Sequence, residues 1–197
     1  MRKITLFMNT SLDGVIGGTD AENSNNEIQN SNETPSQDEH NYANQLFETA
    51  DTIIFGRTTY QGFTDYWDNV DILDNSKPEV ETEFAKVFQR KNRVVFSRTL
   101  SQVPVNTLLI SNDIANQVNQ LKRQEGRDML LVCGSELLST LIELNLVDEL
   151  QLILSPKIFG KGQYLFGKLK KPINLTLINS KEFKSGGILN HYKINKI

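Results

Sequence analysis

Twice in this chain an apolar strand runs into a glycine and leaves it as a helix, and no other feature limits the fold so strongly. The first joint is Thr52-Ile53-Ile54-Phe55-Gly56-Arg57-Thr58-Thr59-Tyr60, and the second is Met129-Leu130-Leu131-Val132-Cys133-Gly134-Ser135-Glu136. Short apolar runs that pass straight into helices are the units of a sheet with helical crossovers. Glycine has no Cβ, so at such a joint backbone can approach a ligand closely. The helix that follows offers unpaired N–H groups and the positive end of its dipole, which suits phosphate. Two joints of this kind point to a dinucleotide held at two places. Neither has the Lys of a P-loop or the three glycines of a dinucleotide fingerprint.

The remaining pattern continues the alternation. Lys3 to Thr10 alternates apolar and polar residues and stops at the turn Ser11-Leu12-Asp13-Gly14. Further strands are expected at 51–55, 93–97, 107–110, 129–133 and 148–155. Helices are expected at 40–49, at 58–62, at 79–90, from the Asn112-Asp113 cap to about Glu125, and at 135–144. Leu175–Lys184 and Ile188–Ile194 read as a closing hairpin. Helices alternate with strands up to Leu144, and only strands follow. The fold class is therefore α/β, a mainly parallel sheet with antiparallel C-terminal strands. The residues from about 19 to 39 are nearly all polar and bury too little to offset the entropy of ordering, so they read as a mobile loop. With no linker and no repeat, residues 1–197 read as a single domain.

Composition excludes several classes. A net charge of −3 carries no basic footprint for nucleic acid. No apolar run reaches the length of a membrane span, and the N-terminal one is too short for a signal peptide. One cysteine forbids an internal disulfide and fits a reducing, cytoplasmic compartment. His40 and His191 have no Cys or His cluster beside them, so no metal site is expected. Charge is unevenly spread: residues 4–56 hold nine acids and no Lys or Arg, leaving 15 acids against 21 bases elsewhere.

In order along the chain, several short motifs resemble the dihydrofolate-reductase-like superfamily, and within it the branch of the riboflavin-biosynthesis reductase C-terminal domain. They are Ser11-Leu12-Asp13-Gly14, Gly56-Arg57-Thr58-Thr59-Tyr60, Tyr66-Trp67, Val95-Phe96-Ser97-Arg98-Thr99-Leu100, Leu146-Val147-Asp148-Glu149-Leu150, Ser155-Pro156, Gly160-Lys161-Gly162 and Leu165-Phe166. The resemblance implies a dihydrofolate-reductase-like three-layer fold and a reduced nicotinamide cofactor, NADPH. It places Gly56, Arg57, Thr58 and Thr59 at the phosphates, and Ser97, Arg98 and Thr99 at the adenosine end, where a guanidinium can grip a 2′-phosphate. Gly134 and Ser135 would cradle the pyrophosphate; Asn9, Thr10 and Ser11 would border the nicotinamide. The substrate side would hold Ser11, Asp13, His40 and Trp67.

Each of these residues also has a structural reading. Arg57 can be a surface arginine, and Thr58 and Thr59 ordinary first-turn residues. Asp13 can fix its own turn. Trp67 and Tyr66 can pack as core, and Cys133 can be inert packing where relatives commonly carry Gly-Gly. Folate reduction is not expected, because the Trp and Leu-Pro pattern around the folate acid is missing; Asp38, Glu39 and His40 stand roughly in that position. A phosphoribosyl pyrimidine is not expected either, since the first strand and the loop after it, within residues 4–56, hold no Lys or Arg and a phosphate among carboxylates is costly. The expected activity is reduction of a small, heterocyclic, uncharged or cationic substrate by NADPH. The alternative is a catalytically silent nucleotide-binding or regulatory protein that keeps the cofactor groove. A homodimer is expected by resemblance.

Overall fold

The computed structural model describes residues 1–17, 36–74 and 76–195. In chain order its elements are β1 (Ile4–Ser11), β2 (Val15–Gly17), α1 (Gln37–Thr49), β3 (Thr52–Gly56), α2 (Arg57–Trp67), α3 (Glu79–Gln89), β4 (Asn92–Phe96), β5 (Thr107–Ile110), α4 (Ile114–Arg123), β6 (Met129–Val132), α5 (Ser135–Glu143), β7 (Glu149–Ser155), β8 (Gln163–Tyr164), β9 (Leu175–Glu182) and β10 (Ile188–Ile194). They gather into two compact units, one of Met1–Ile4 with Gln37–Cys133 and one of Thr5–Ser36 with Gly134–Ile197.

In the first unit four parallel strands lie in the order β5-β4-β3-β6. The apolar runs of β3, β4 and β6 are buried, with Ile53, Ile54, Phe55, Val95 and Leu131 at 0 % exposure, as parallel strands covered on both faces require, while the edge strand β5 leaves Leu108 exposed. An aromatic cluster joins the helices to β3: Phe47 meets Phe84 at 4.8 Å, Phe63 meets Phe55 at 5.4 Å, and Trp67 meets Phe84 at 4.5 Å between ring centres. This packing explains why α2 continues to Trp67 rather than stopping at Gly62 as its pattern predicts. Glycine costs a helix interior roughly 1 kcal/mol, and the partial burial of Phe63 and Trp67 against the aromatic cluster offsets it.

Two charged anchors fasten this unit. Arg93, 3 % exposed, grips Asp68 at the end of α2 with both terminal nitrogens, at 2.6 and 2.5 Å, and lies over the Phe88 ring. Arg2, also buried, donates to the carboxylate of Asp51, to Thr52 Oγ1 at 2.9 Å and to the Arg127 carbonyl at 2.5 Å. Asp51 in turn accepts the Arg127 amide at 2.7 Å.

In the second unit β1 runs parallel to β7, with Thr5 opposite Glu149 and Ser11 opposite Ser155. β10 pairs antiparallel with β7, and β9 antiparallel with β10. The closing hairpin is as expected: Phe183 and Gly187 close it at 2.9 Å, and Gly186 takes the positive φ of 83° that the turn needs. The pairing of β2 with β8 is new; neither is long enough to show a period of two. Most of the loop expected at 19–39 lies outside the described residues. Its last residues are helical instead, since α1 opens at Gln37 with Asp38 and Glu39 in the first turn, where they favour the dipole. The alternation thus gives the expected α/β arrangement, parallel strands followed by antiparallel C-terminal ones.

Candidate functional site

The carboxyl ends of the first unit's strands all lie on one edge. Gly56 is the register partner of Phe96, and Ser97 continues beyond it to donate to the Ile110 carbonyl at 3.1 Å. On the other side of β3, Phe55 is the partner of Val132, so the strand carrying the first glycine joint lies beside the strand that leads into the second. Strands β4 and β5 extend one way from β3 and β6 lies the other way, which puts a topological switch between β3 and β6. In open α/β sheets ligands bind outside the carboxyl ends at such a switch.

Gly56 is the N-cap of α2, with φ −81° and ψ 161°, and no side chain caps the helix. Its first turn has no acid, and its first residue is Arg57. Arg57 and Thr58 are exposed and Thr59 is half-buried. A cation at the positive end of a helix is mildly unfavourable by itself, by about 0.3–1 kcal/mol, and an anion between them reverses the sign. Next in register, the Ser97 hydroxyl accepts the Thr99 amide at 3.1 Å and the Leu100 amide at 3.0 Å. Ser97 therefore builds the turn, and that turn leaves Arg98 and Thr99 exposed. Among the described residues neither Arg57 nor Arg98 has an ion-pair partner. His40 lies half-buried on α1. Trp67 ends α2, about 15 Å along the helix from Arg57; it packs on Phe84 and on Tyr66 at 4.8 Å, away from the strand ends.

In the second unit Asn9, Thr10 and Ser11 close β1, opposite Ile153, Leu154 and Ser155. Asn9 is exposed. Thr10 is 5 % exposed, and its Oγ1 has no hydrogen-bond partner among the described residues. Leaving a buried hydroxyl unpaired costs about 1–3 kcal/mol, so this atom is suited to a ligand. Ser11 and Asp13 satisfy each other: the Ser11 hydroxyl donates to Asp13 Oδ1 at 2.6 Å and accepts the Val15 amide at 2.9 Å. The Asp13 carboxylate also accepts the amides of Phe159 at 3.2 Å and Gly160 at 2.8 Å. The Ser11 hydroxyl foremost, and then those amides, hold its carboxyl below the usual range, so it stays ionised.

Gly134 is the N-cap of α5 with φ −76° and ψ 176°, again without a side-chain cap. A Cβ there would lie 3.4 Å from the Gln163 amide nitrogen, which donates to Ser135 Oγ at 3.1 Å. Ser135 is thus 2 % exposed with its hydroxyl engaged, and its backbone is what remains for an anion. Cys133 is fully buried. Glu149 is tied to His191 at 2.8 Å, a contact between neighbouring strands.

Gln163 was not expected from the sequence, nor was the placement of its loop. Leu12 donates to the Lys157 carbonyl at 2.7 Å and Leu165 to the Gly14 carbonyl at 2.9 Å. The turn after β1 therefore has the backbone of Lys157 beside it, although residues 4–56 hold no Lys or Arg. A reading along the chain does not show this neighbour, because Lys157, distant in sequence, is brought to the turn by a backbone hydrogen bond.

Residues 2–189 match the family described as the RibD C-terminal domain. The uncharacterized protein YyaP of Bacillus subtilis (strain 168) is 35 % identical over 185 residues, which cover 94 % of this chain and 91 % of that one. A solved structure of a candidate riboflavin biosynthesis protein from Shewanella sp. PV-4 superposes with a TM-score of 0.74 at 20 % identity, covering 98 % of this chain and 99 % of the other. Dihydrofolate reductase from Enterococcus faecalis, complexed with NADP(H) and RAB-propyl, gives 0.60 at 13 % identity, with 98 % and 97 % covered. The last two likenesses establish a shared fold.

Proposed function

The chain belongs to the RibD C-terminal domain family, and on that premise we propose that it is an NADPH-dependent reductase transferring a hydride to a small heterocyclic substrate of pterin or pyrimidine type. The observation that carries this reading is the start of α2. An uncapped helix with no acid in its first turn opens on Arg57 at the carboxyl edge of parallel strands, with Arg98, which has no ion-pair partner among the described residues, one strand away. Backbone amides and two guanidiniums there suit a cofactor's phosphates. In the second unit, taken by itself, the buried Thr10 hydroxyl has no hydrogen-bond partner among the described residues, which suits it to a polar ligand group. When bound, the reduced nicotinamide would supply the hydride. The residues of the chain would hold its phosphates, orient its ring and keep water out.

One observation favours a second reading, a nucleotide-binding or regulatory protein without turnover. The carboxylate closest in sequence to the expected nicotinamide residues, Asp13, is ionised and committed to three hydrogen bonds, so it offers no proton. NADPH oxidation followed by absorbance against pterins, pyrimidines and quinones separates the two. Consumption with any of them supports the reductase. Binding of NADPH with no consumption across the set supports the silent protein.

A second copy of the chain is the partner this reading carries. Strand β9 is exposed along all its residues, with Leu177 and Ile178 about half exposed, which is the form of an edge that pairs. No helix among the described residues is long and apolar enough to cross a membrane. The single cysteine suits a reducing cytoplasm.

A further inference from the structure

We propose that Tyr60, Asp68, Arg93 and Thr107 are positioning residues that set the spacing between Arg57 and Arg98, and through it the preference for NADPH over NADH. The proposal rests on the reductase reading and deepens it. Arg57 opens α2, while Arg98 lies just beyond the end of β4. The two arginines therefore stand on different elements, and the start of α2 carries no side-chain cap. Two polar bonds from α2 converge instead on one rung of the sheet. Arg93 and Thr107 are register partners on β4 and β5. Asp68, the C-cap of α2, accepts from both terminal nitrogens of Arg93, at 2.6 and 2.5 Å. The hydroxyl of Tyr60, in the first turn of α2, lies 3.3 Å from Thr107 Oγ1, with both residues buried. The Tyr60 ring also meets Phe55 of β3 edge-on, at 6.1 Å between ring centres.

These bonds supply geometry more than stability. A buried ion pair gains little over apolar packing of the same volume, and Arg93 Nε has no hydrogen-bond partner among the described residues. A guanidinium fork, however, fits a carboxylate in one plane and at one distance. Arg93 also lies over the Phe88 ring, 4.3 Å from its centre. From that rung to the strand end run only Val94, Val95 and Phe96, all buried. Ser97 then donates to the Ile110 carbonyl at 3.1 Å, so β4 cannot slide on β5. A shift of α2 against the rung therefore changes the distance from Arg57 to Arg98. NADH, without a 2′-phosphate, would meet Arg57 alone, whereas NADPH would meet both. Only NADPH reads the spacing, and a binding constellation has to be held to within about 0.5 Å.

The test is calorimetric titration of the full chain with NADPH and with NADH. Tyr60→Phe, Thr107→Val and Asp68→Asn should each weaken NADPH about fivefold or more and NADH less than about twofold. Thr107→Ser keeps the hydroxyl and should restore the ratio of the two affinities. Tyr60→Phe and Thr107→Val remove the same bond, so the pair together should weaken NADPH no further than either alone. Gly126→Ala is the control, because it disturbs the Asp51 anchor and should leave the ratio unchanged. Equal losses for both cofactors, or a ratio that falls as far in Gly126→Ala, would assign the rung to general stability and overturn the proposal. A ratio kept in both Tyr60→Phe and Thr107→Val, which delete single atoms or near-isosteric groups and spare the ion pair, would overturn it too. A wild-type chain that binds neither cofactor would remove the reductase reading itself, and the rung's part in cofactor choice with it.

Discussion

At the scale of single residues, the cofactor reading turns on Arg57 and Arg98, neither of which has an ion-pair partner among the described residues. Arg57 adds its charge to the positive end of α2, and Arg98 follows Ser97 on the neighbouring strand. If they hold phosphates, each contributes a charge-assisted hydrogen bond, about 1.5–3 kcal/mol, or roughly tenfold and upward in affinity. Arg57→Ala should therefore weaken NADPH and NADH alike, measured by calorimetry. Arg98→Ala should weaken NADPH at least tenfold more than NADH, if it meets the 2′-phosphate. Equal losses for both cofactors would remove Arg98 from that phosphate. Ser97 behaves differently. Its hydroxyl is spent on the turn, so Ser97→Ala should act through the position of Arg98 rather than through a lost ligand contact.

Among the elements, those with strong periodicity were legible and those defined by distant partners were not. Strands β3 and β6 showed as unbroken apolar runs because both faces are covered, and the last hairpin showed because Ser185-Gly186-Gly187 reads as a turn. The length of α2 was hidden, because Phe63 and Trp67 are stabilised by Phe84 and Phe88 rather than by their own propensities. The β2–β8 pairing was hidden because two or three residues carry no pattern. The same gap misled the reading of charge: a scan along the chain could not show Lys157 beside Leu12. Gly126 is another position that only the fold explains. It takes φ 145°, and a Cβ there would lie 2.5 Å from the Asp51 carboxylate, which is already fixed by Arg2, Thr52 and the Arg127 amide. Gly126→Ala should cost about 2 kcal/mol or more in urea unfolding. A loss under about 0.5 kcal/mol would show that the anchor can shift.

For the whole molecule, the question is whether stability and ligand binding respond to the same residues. A ligand that binds only the folded state at one hundred times its Kd adds about 2.7 kcal/mol. For a chain of 197 residues that is a rise of roughly 5–10 °C in Tm. NADPH at such excess should give this rise in the wild-type protein. Gly126→Ala should lower the starting Tm and keep the increment, because the anchor at Asp51 lies at the amino end of β3, opposite Gly56. The double replacement of Arg57 and Arg98 by Ala should do the reverse, leaving the starting Tm almost unchanged and removing most of the increment. That crossed pattern cannot come from a general loosening of the fold, which would lower both quantities together. If the arginine variant kept the full rise, the carboxyl edge of the first unit would not be where the phosphates bind, and the cofactor assignment would fall with it.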